Sequence, residues 1–139
     1  MKSEIFNKTP AQNKVLAAHY VCKAIQGQSQ GAEVVRNIPT GGEKNMRAGV
    51  QAAAYGLIHI TCGSSTDPNQ KIWGWDAHGL SQCVDIDHVA FVWSDQQHHI
   101  HISILTKQQT LMLAEKNKGQ YAKQELLKHA VKNFDPIPA

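Results

Sequence analysis

His88 heads the apolar run Val89-Ala90-Phe91-Val92-Trp93, and after the polar stretch Ser94-Asp95-Gln96-Gln97 a second run, His98-His99-Ile100-His101-Ile102-Ser103, brings three more histidines. Imidazole titrates near neutrality, so a histidine beside a thiol or hydroxyl can take its proton and pass it to a leaving group. It needs a second polar group to hold the ring in one tautomer. His88 as base and His101 as orienter, on neighbouring antiparallel strands, form the expected pair. His99 is the substitute for His101, because the two share a strand face. A nucleophile must come from elsewhere, and the first helix is the element expected to supply it. The competing reading makes both histidines ordinary polar residues on a half-exposed sheet.

The elements that must position these groups follow from local pattern. Thr9-Pro10 reads as N-cap and first helical position, where proline's missing N–H costs nothing. Ala18, Val21, Cys22 and Ile25 then recur on one face of a helix over about 10–26, with Gly27 as its stop. Residues 27–42 read as a loop closing on Pro39-Thr40-Gly41-Gly42, and Met46, Val50, Ala53 and Ala54 predict a second helix over roughly 43–55. The period then falls to two. Leu57–Thr61 and Lys71–Trp75 read as strands around a turn from Gly63 to Asn69, with Gly79–Gln82 as loop.

Segments 86–93 and 98–105 form the clearest hairpin. In its second strand Ile100, Ile102 and Ile104 should face the core, leaving His99, His101 and Ser103 on the opposite face, where a cleft can form. From 107 onward the pattern is helical, breaking at Gly119 and resuming with Ala122, Leu126, Ala130 and Phe134. Together these predict an α+β fold: N-terminal helices packed on a small antiparallel sheet, with a C-terminal helix.

With 139 residues and 42% apolar content, the chain suits one domain with one core. The net charge of +3 is spread out, which gives no concentrated nucleic-acid footprint. Met1–Lys8 lacks the apolar stretch of a secretory signal and no run is long enough to span a bilayer, so the expectation is a soluble protein without a membrane span. Cys22, Cys62 and Cys83 lack the paired spacing of a zinc ribbon; a Cys62–Cys83 bridge stays open in an oxidising compartment.

His88-Val89-Ala90-Phe91-Val92 resembles the segment that begins with the catalytic histidine in papain-like peptidoglycan amidases of the CHAP and NlpC type, with Asp87 where the family usually has glycine. Tyr20, Val21 and Ala24 fit the register that follows the family's nucleophilic cysteine, whose position is held by Ala17. The resemblance implies a papain-like domain over 1–139 in which a thiolate at position 17 attacks an amide of the peptidoglycan stem peptide. His88 would take the thiol proton and His101 would hold its ring, with no cofactor. It further implies an antibacterial effector acting in the periplasm of a target cell, partnered by a cognate immunity protein and inactive with alanine at position 17. Cys22 is the fallback nucleophile, although it lies about 140° round the helix from position 17. Its phase beside Val21 and Ile25 favours packing.

Rival chemistries attach to other residues. Ile58-His59-Ile60-Thr61 and Ile100-His101-Ile102-Ser103 share an apolar-His-apolar-hydroxyl core, which suits a two-histidine phosphoesterase acting on a cyclic phosphodiester or RNA end. His99-Ile100-His101 with Tyr121 on the following helix resembles the metal and nucleophile set of a single-strand DNA nickase. His78 and Asp85 echo a zinc-peptidase spacing, but a turn histidine and a solvated carboxylate are the favoured reading, and no metal is expected. Trp73 and Trp75 can share a face as sheet packing or as a glycan-binding rim. A non-enzymatic adaptor or inhibitor, docking through its C-terminal helix, completes the set.

Overall fold

Thr9 caps the first helix as its side chain predicts. The Thr9 hydroxyl accepts from the Gln12 N–H at 3.2 Å and the Gln12 side chain accepts from the Thr9 N–H at 3.3 Å, so two orphan donors are satisfied reciprocally. Helix α1 spans Pro10–Gln26, ends at Gly27, and buries Ala17, Ala18, Val21, Cys22 and Ile25. A computed structural model of the chain describes residues 2–38, 46–73 and 80–139.

After α1 come β1 (Ala32–Ile38), β2 (Met46–Ala52), β3 (Gly56–Cys62), β4 (Lys71–Trp73), β5 (His88–Ser94) and β6 (His99–Thr106). Helix α2 (Lys107–Asn117), β7 (Gln120–Ala122), α3 (Lys123–His129), β8 (Lys132–Asn133) and β9 (Ile137–Pro138) complete the chain. The seven-stranded sheet runs β1-β2-β3-β5-β6-β8, with β9 also pairing β6. Its pairings are antiparallel except that β3 runs parallel to β5, so the sheet is mixed rather than purely antiparallel. β4 and β7 form a separate antiparallel ribbon.

Alternation sorts the strands onto two cores. Val50, Ile58, Ile60, Ala90, Val92, Ile100, Ile102 and Ile104 lie beneath α1. Leu57, Val89, Phe91, Trp93 and Leu105 face the other way, against Ile72, Leu80, Leu113, Tyr121 and Leu126. Helix, sheet, and a mixed layer of ribbon and helices therefore stack as three layers. A sheet covered on both sides explains why Val89–Trp93 is apolar at every position.

Several expectations give way to this topology. The loop expected over 27–42 contains β1, and the helix expected from 43 contains β2; residues 39–45 lie outside the described set. Met46, Val50, Ala53 and Ala54 fit a helical period while Ala48, Val50 and Ala52 alternate at the strand period, and pairing on both flanks decides for the strand. Leu80 and Ser81 are helical rather than loop. Beyond Gly119 the single expected helix is cut to the seven residues of α3, because the chain returns to the sheet: the Phe134 N–H donates to Ile102 O at 3.1 Å and Phe134 joins the core under α1. Among the described residues no helix is long and apolar enough to cross a membrane.

The β2–β3 turn depends on one glycine. Gly56 sits at φ +70°, and a Cβ there would lie 2.1 Å from Asp87 Oδ2, the atom that accepts the Leu57 N–H at 3.1 Å. Gly56→Ala combines left-handed strain with a clash against this brace, and is expected to destabilise the fold by about 2 kcal/mol or more, read as a lower urea midpoint.

Candidate active site

Position 17, the expected nucleophile, is the eighth residue of α1. Ala17 is fully buried between helix and sheet, so a side chain there meets core atoms and no substrate. The helix begins at Pro10 as its cap dictates, which also leaves no free backbone N–H near position 17 to stabilise an oxyanion. Cys22 is 8% exposed, and burial, with the Glu33 charge, pushes its thiol above the ordinary value, opposite to what a nucleophile needs. Ala17→Cys is expected to gain no peptidoglycan cleavage. Its new thiol should be alkylated only on unfolding, as mass spectrometry at that position would read.

His88 and His101 are not brought together. Cross-strand partners are His88↔Thr106 and Trp93↔His101, so the two histidines are separated by five positions, roughly 16 Å along the strands, and by odd parity point to opposite faces. His88 serves the β2–β3 turn instead: its Nδ1–H donates to Tyr55 O at 2.6 Å and its ring meets the Tyr55 ring edge-on. Asp87, the departure from the amidase pattern, braces the same turn through Leu57.

The structure builds a different constellation at the carboxyl ends of the parallel strands β3 and β5. Chains leaving neighbouring parallel strands depart in different directions and open a crevice between them. Here Gly63–Pro68 departs from β3 while Asp95–Gln97 turns back from β5 into β6. A cavity of about 340 Å³ lies between them, walled by Thr66, Pro68, Trp93, Asp95, His101, Lys123 and Leu127 among others. A second, of about 190 Å³, adjoins it along Ser64, Ser65, Lys71 and Lys123.

Within the larger cavity the His101 ring stacks on Trp93, centroids 5.4 Å apart and planes 5° from parallel. Its Nε2 lies 2.8 Å from Asp95 Oδ2. Burial alone would raise the Asp95 carboxyl, but hydrogen bonds from His101 and from the His99 and Gln97 backbone outweigh it and hold the carboxyl below its ordinary value. An ionised carboxylate only accepts, so Nε2 carries the proton and Nδ1 is left as the basic lone pair. Asp95 Oδ1 also takes the Gln97 N–H at 2.9 Å and the His99 N–H at 3.0 Å, which immobilises the orienting group.

Lys123 sits at the wall shared by the two cavities, 3% exposed. Its Nζ donates to Ser65 O at 2.8 Å and Asp67 O at 2.7 Å, and lies 5.9 Å from the Trp93 ring centroid. Burial lowers its ammonium pKa, with partial compensation by the Asp67 charge.

The other predicted groups stay apart from this crevice. His59 shares the His101 face, yet its partner Val89 lies four positions from Trp93 and strand β5 lies between theirs, two strand spacings, roughly 16 Å in all, so two imidazoles do not converge. His59 is instead buried among Leu80, Val89, Phe91, Thr110 and Tyr121. Tyr121 is on β7, not a helix, and is 1% exposed against Phe91, out of reach as a nickase nucleophile. His99 Nδ1 stands 3.8 Å from Asp95 Oδ1 at the rim. Among the described residues no three histidine, cysteine or acidic side chains cluster to hold a metal. His78 and Trp75 lie outside the described residues, Asp85 is exposed, and Trp73 is 66% exposed on β4. Cys22 and Cys62 carry free thiols, so the Cys62–Cys83 bridge is not formed.

Sequence reasoning found His101 and missed Asp95, Trp93, Thr66 and Lys123 as its neighbours. The Asp95 signal was present: an aspartate that opens a turn two residues before Gln97, just ahead of a returning strand whose His101 it meets. No protein-family model, curated protein or solved structure matches the chain.

Proposed function

We propose that the protein is a hydrolase in which His101, oriented by Asp95, is the general base of the crevice at the ends of β3 and β5. The observation that carries this reading is the 2.8 Å His101–Asp95 contact on the wall of a cavity large enough for substrate. A water oxygen forms the new bond to the electrophilic carbon or phosphorus while its proton passes to His101 Nδ1. The bond to the leaving group breaks, and the imidazolium returns that proton to the departing atom. Asp95 stabilises the imidazolium through Nε2–H, and the Trp93 face holds the ring in plane.

A papain-like amidase would need position 17 at an open helix head facing His88. Its sealed place in α1 withholds support from that assignment, so the hydrolase reading is carried on His101 rather than on a thiol. Turnover of chromogenic carboxylic ester, anilide, phosphomonoester and cyclic phosphodiester substrates tests it. Hydrolysis of one class, lost in His101→Gln, is the expected result. No turnover of any class, or turnover indifferent to His101→Gln, overturns the proposal.

A further inference from the structure

Lys123 is a buried cation with no carboxylate in contact with it among the described residues. An ammonium taken out of water is costly unless opposite charge and full hydrogen bonding replace the solvent. Here two backbone carbonyls accept from Nζ, and among the described residues no carboxylate lies within ion-pair distance of it. An ammonium carries three N–H donors, so one remains for a ligand.

The residue between those two carbonyls supplies the second observation. Thr66 is 9% exposed and lines the larger cavity, yet its Oγ1 has no hydrogen-bond partner among the described residues. A buried hydroxyl without a partner carries a desolvation penalty that a ligand oxygen would remove. Ser65 and Asp67 thus anchor one ammonium, and Thr66 between them lines the same cavity with an unpartnered, buried hydroxyl.

The acidic groups nearby are already engaged. Asp95 is held by His101 and two backbone N–H groups, and Asp67 Oδ1 accepts from the Asn69 N–H at 2.9 Å. Neither carboxylate contacts Nζ, and the Asp67 charge acts on Lys123 only from beyond ion-pair distance.

We propose that Lys123 and Thr66 form a subsite for the phosphoryl group of a phosphate-ester substrate. The inference rests on the hydrolase reading of the same crevice and names its substrate class. Separate donors from an ammonium and a hydroxyl suit the several acceptor oxygens of a tetrahedral oxyanion, with the charge of the phosphoryl group placed against the buried cation. His101 Nδ1 then takes the proton of the water whose oxygen bonds to phosphorus, and the ester oxygen leaves with that proton.

Titration of the protein with inorganic phosphate, followed by tryptophan fluorescence and by phosphorus NMR line width, tests the subsite apart from catalysis. Saturable binding is expected, weakened about tenfold or more by Lys123→Met and several-fold by Thr66→Val, each removing one donor. Thr66→Val is nearly isosteric and keeps the test decisive should Lys123→Met fail to fold. His101→Gln should retain phosphate binding while losing turnover, which separates the two proposals. Absent phosphate binding by the parent chain, binding indifferent to Thr66→Val, or acetate binding as tightly as phosphate each overturns the phosphoryl assignment; the hydrolase reading is then judged by the substrate panel alone.

Discussion

Asp95→Asn is expected to lower kcat/KM by about 10²–10⁴-fold while leaving the fold nearly intact. The asparagine oxygen can still accept the Gln97 and His99 N–H groups that close the turn, so the hairpin keeps its local restraints. What changes is the atom facing His101. In place of a carboxylate oxygen 2.8 Å from Nε2, the variant presents an amide NH₂, which donates. Nε2 must then become the acceptor and the ring proton moves to Nδ1, the atom required as base. The imidazole is retained in position but in the wrong tautomer. The loss should fall on kcat rather than KM, since no ground-state contact with substrate is removed. Steady-state kinetics on the substrate identified by the panel, with a thermal melt as the folding control, checks this. Unchanged kcat in a folded Asp95→Asn protein would assign the contact to the turn and not to chemistry.

The parts of the fold legible in the sequence are those determined locally. Thr9, Pro10 and Gln12 specify the start of α1 through their own side chains, and the alternation of Ile100, Ile102 and Ile104 with His99, His101 and Ser103 specifies the two faces of β6. β1 is less visible because Glu33 and Arg36 interrupt Val34 and Val35 on a strand paired only with β2, where polar residues are tolerated. β2 misled for another reason: small residues fit either period, and only its long-range partners choose between them. The same division governs the site. His101 is visible because a histidine alternating with isoleucines must stand on the opposite face. That His88 stands on the other face follows from the pairing register, fixed by the Asp95 turn, which a strand pattern alone does not encode. Lys123 reaches Ser65 and Asp67 across more than fifty residues of chain, through the packing of α3 against β6, and leaves no local trace.

Acidification should act on the buried imidazole of His59. His59 is driven down to about 3 from its ordinary 6.5, by burial first and by the Lys14 charge second. Between those two values the unfolded chain binds the proton and the folded chain does not, so stability rises with pH across the window and is lost as pH falls from about 6.5 toward 3. Each unit is worth about 1.4 kcal/mol, giving a total of about 4–5 kcal/mol as an upper bound, comparable to the whole stability of many domains of this size. Asp95, held below its ordinary carboxyl value of 3.8, works in the same direction but only at the acidic end, so the interval between pH 6 and 4.5 is dominated by His59. His59→Leu, whose neighbours Leu80, Val89 and Phe91 are apolar, should flatten the dependence there. Urea unfolding of parent and variant at pH 6 and 4.5 is the measurement. Parallel pH slopes in the two proteins would mean that His59 is solvated or paired as a cation in the folded chain, and the layer of α2 and the β4–β7 ribbon over β3 would have to open at mild acidity.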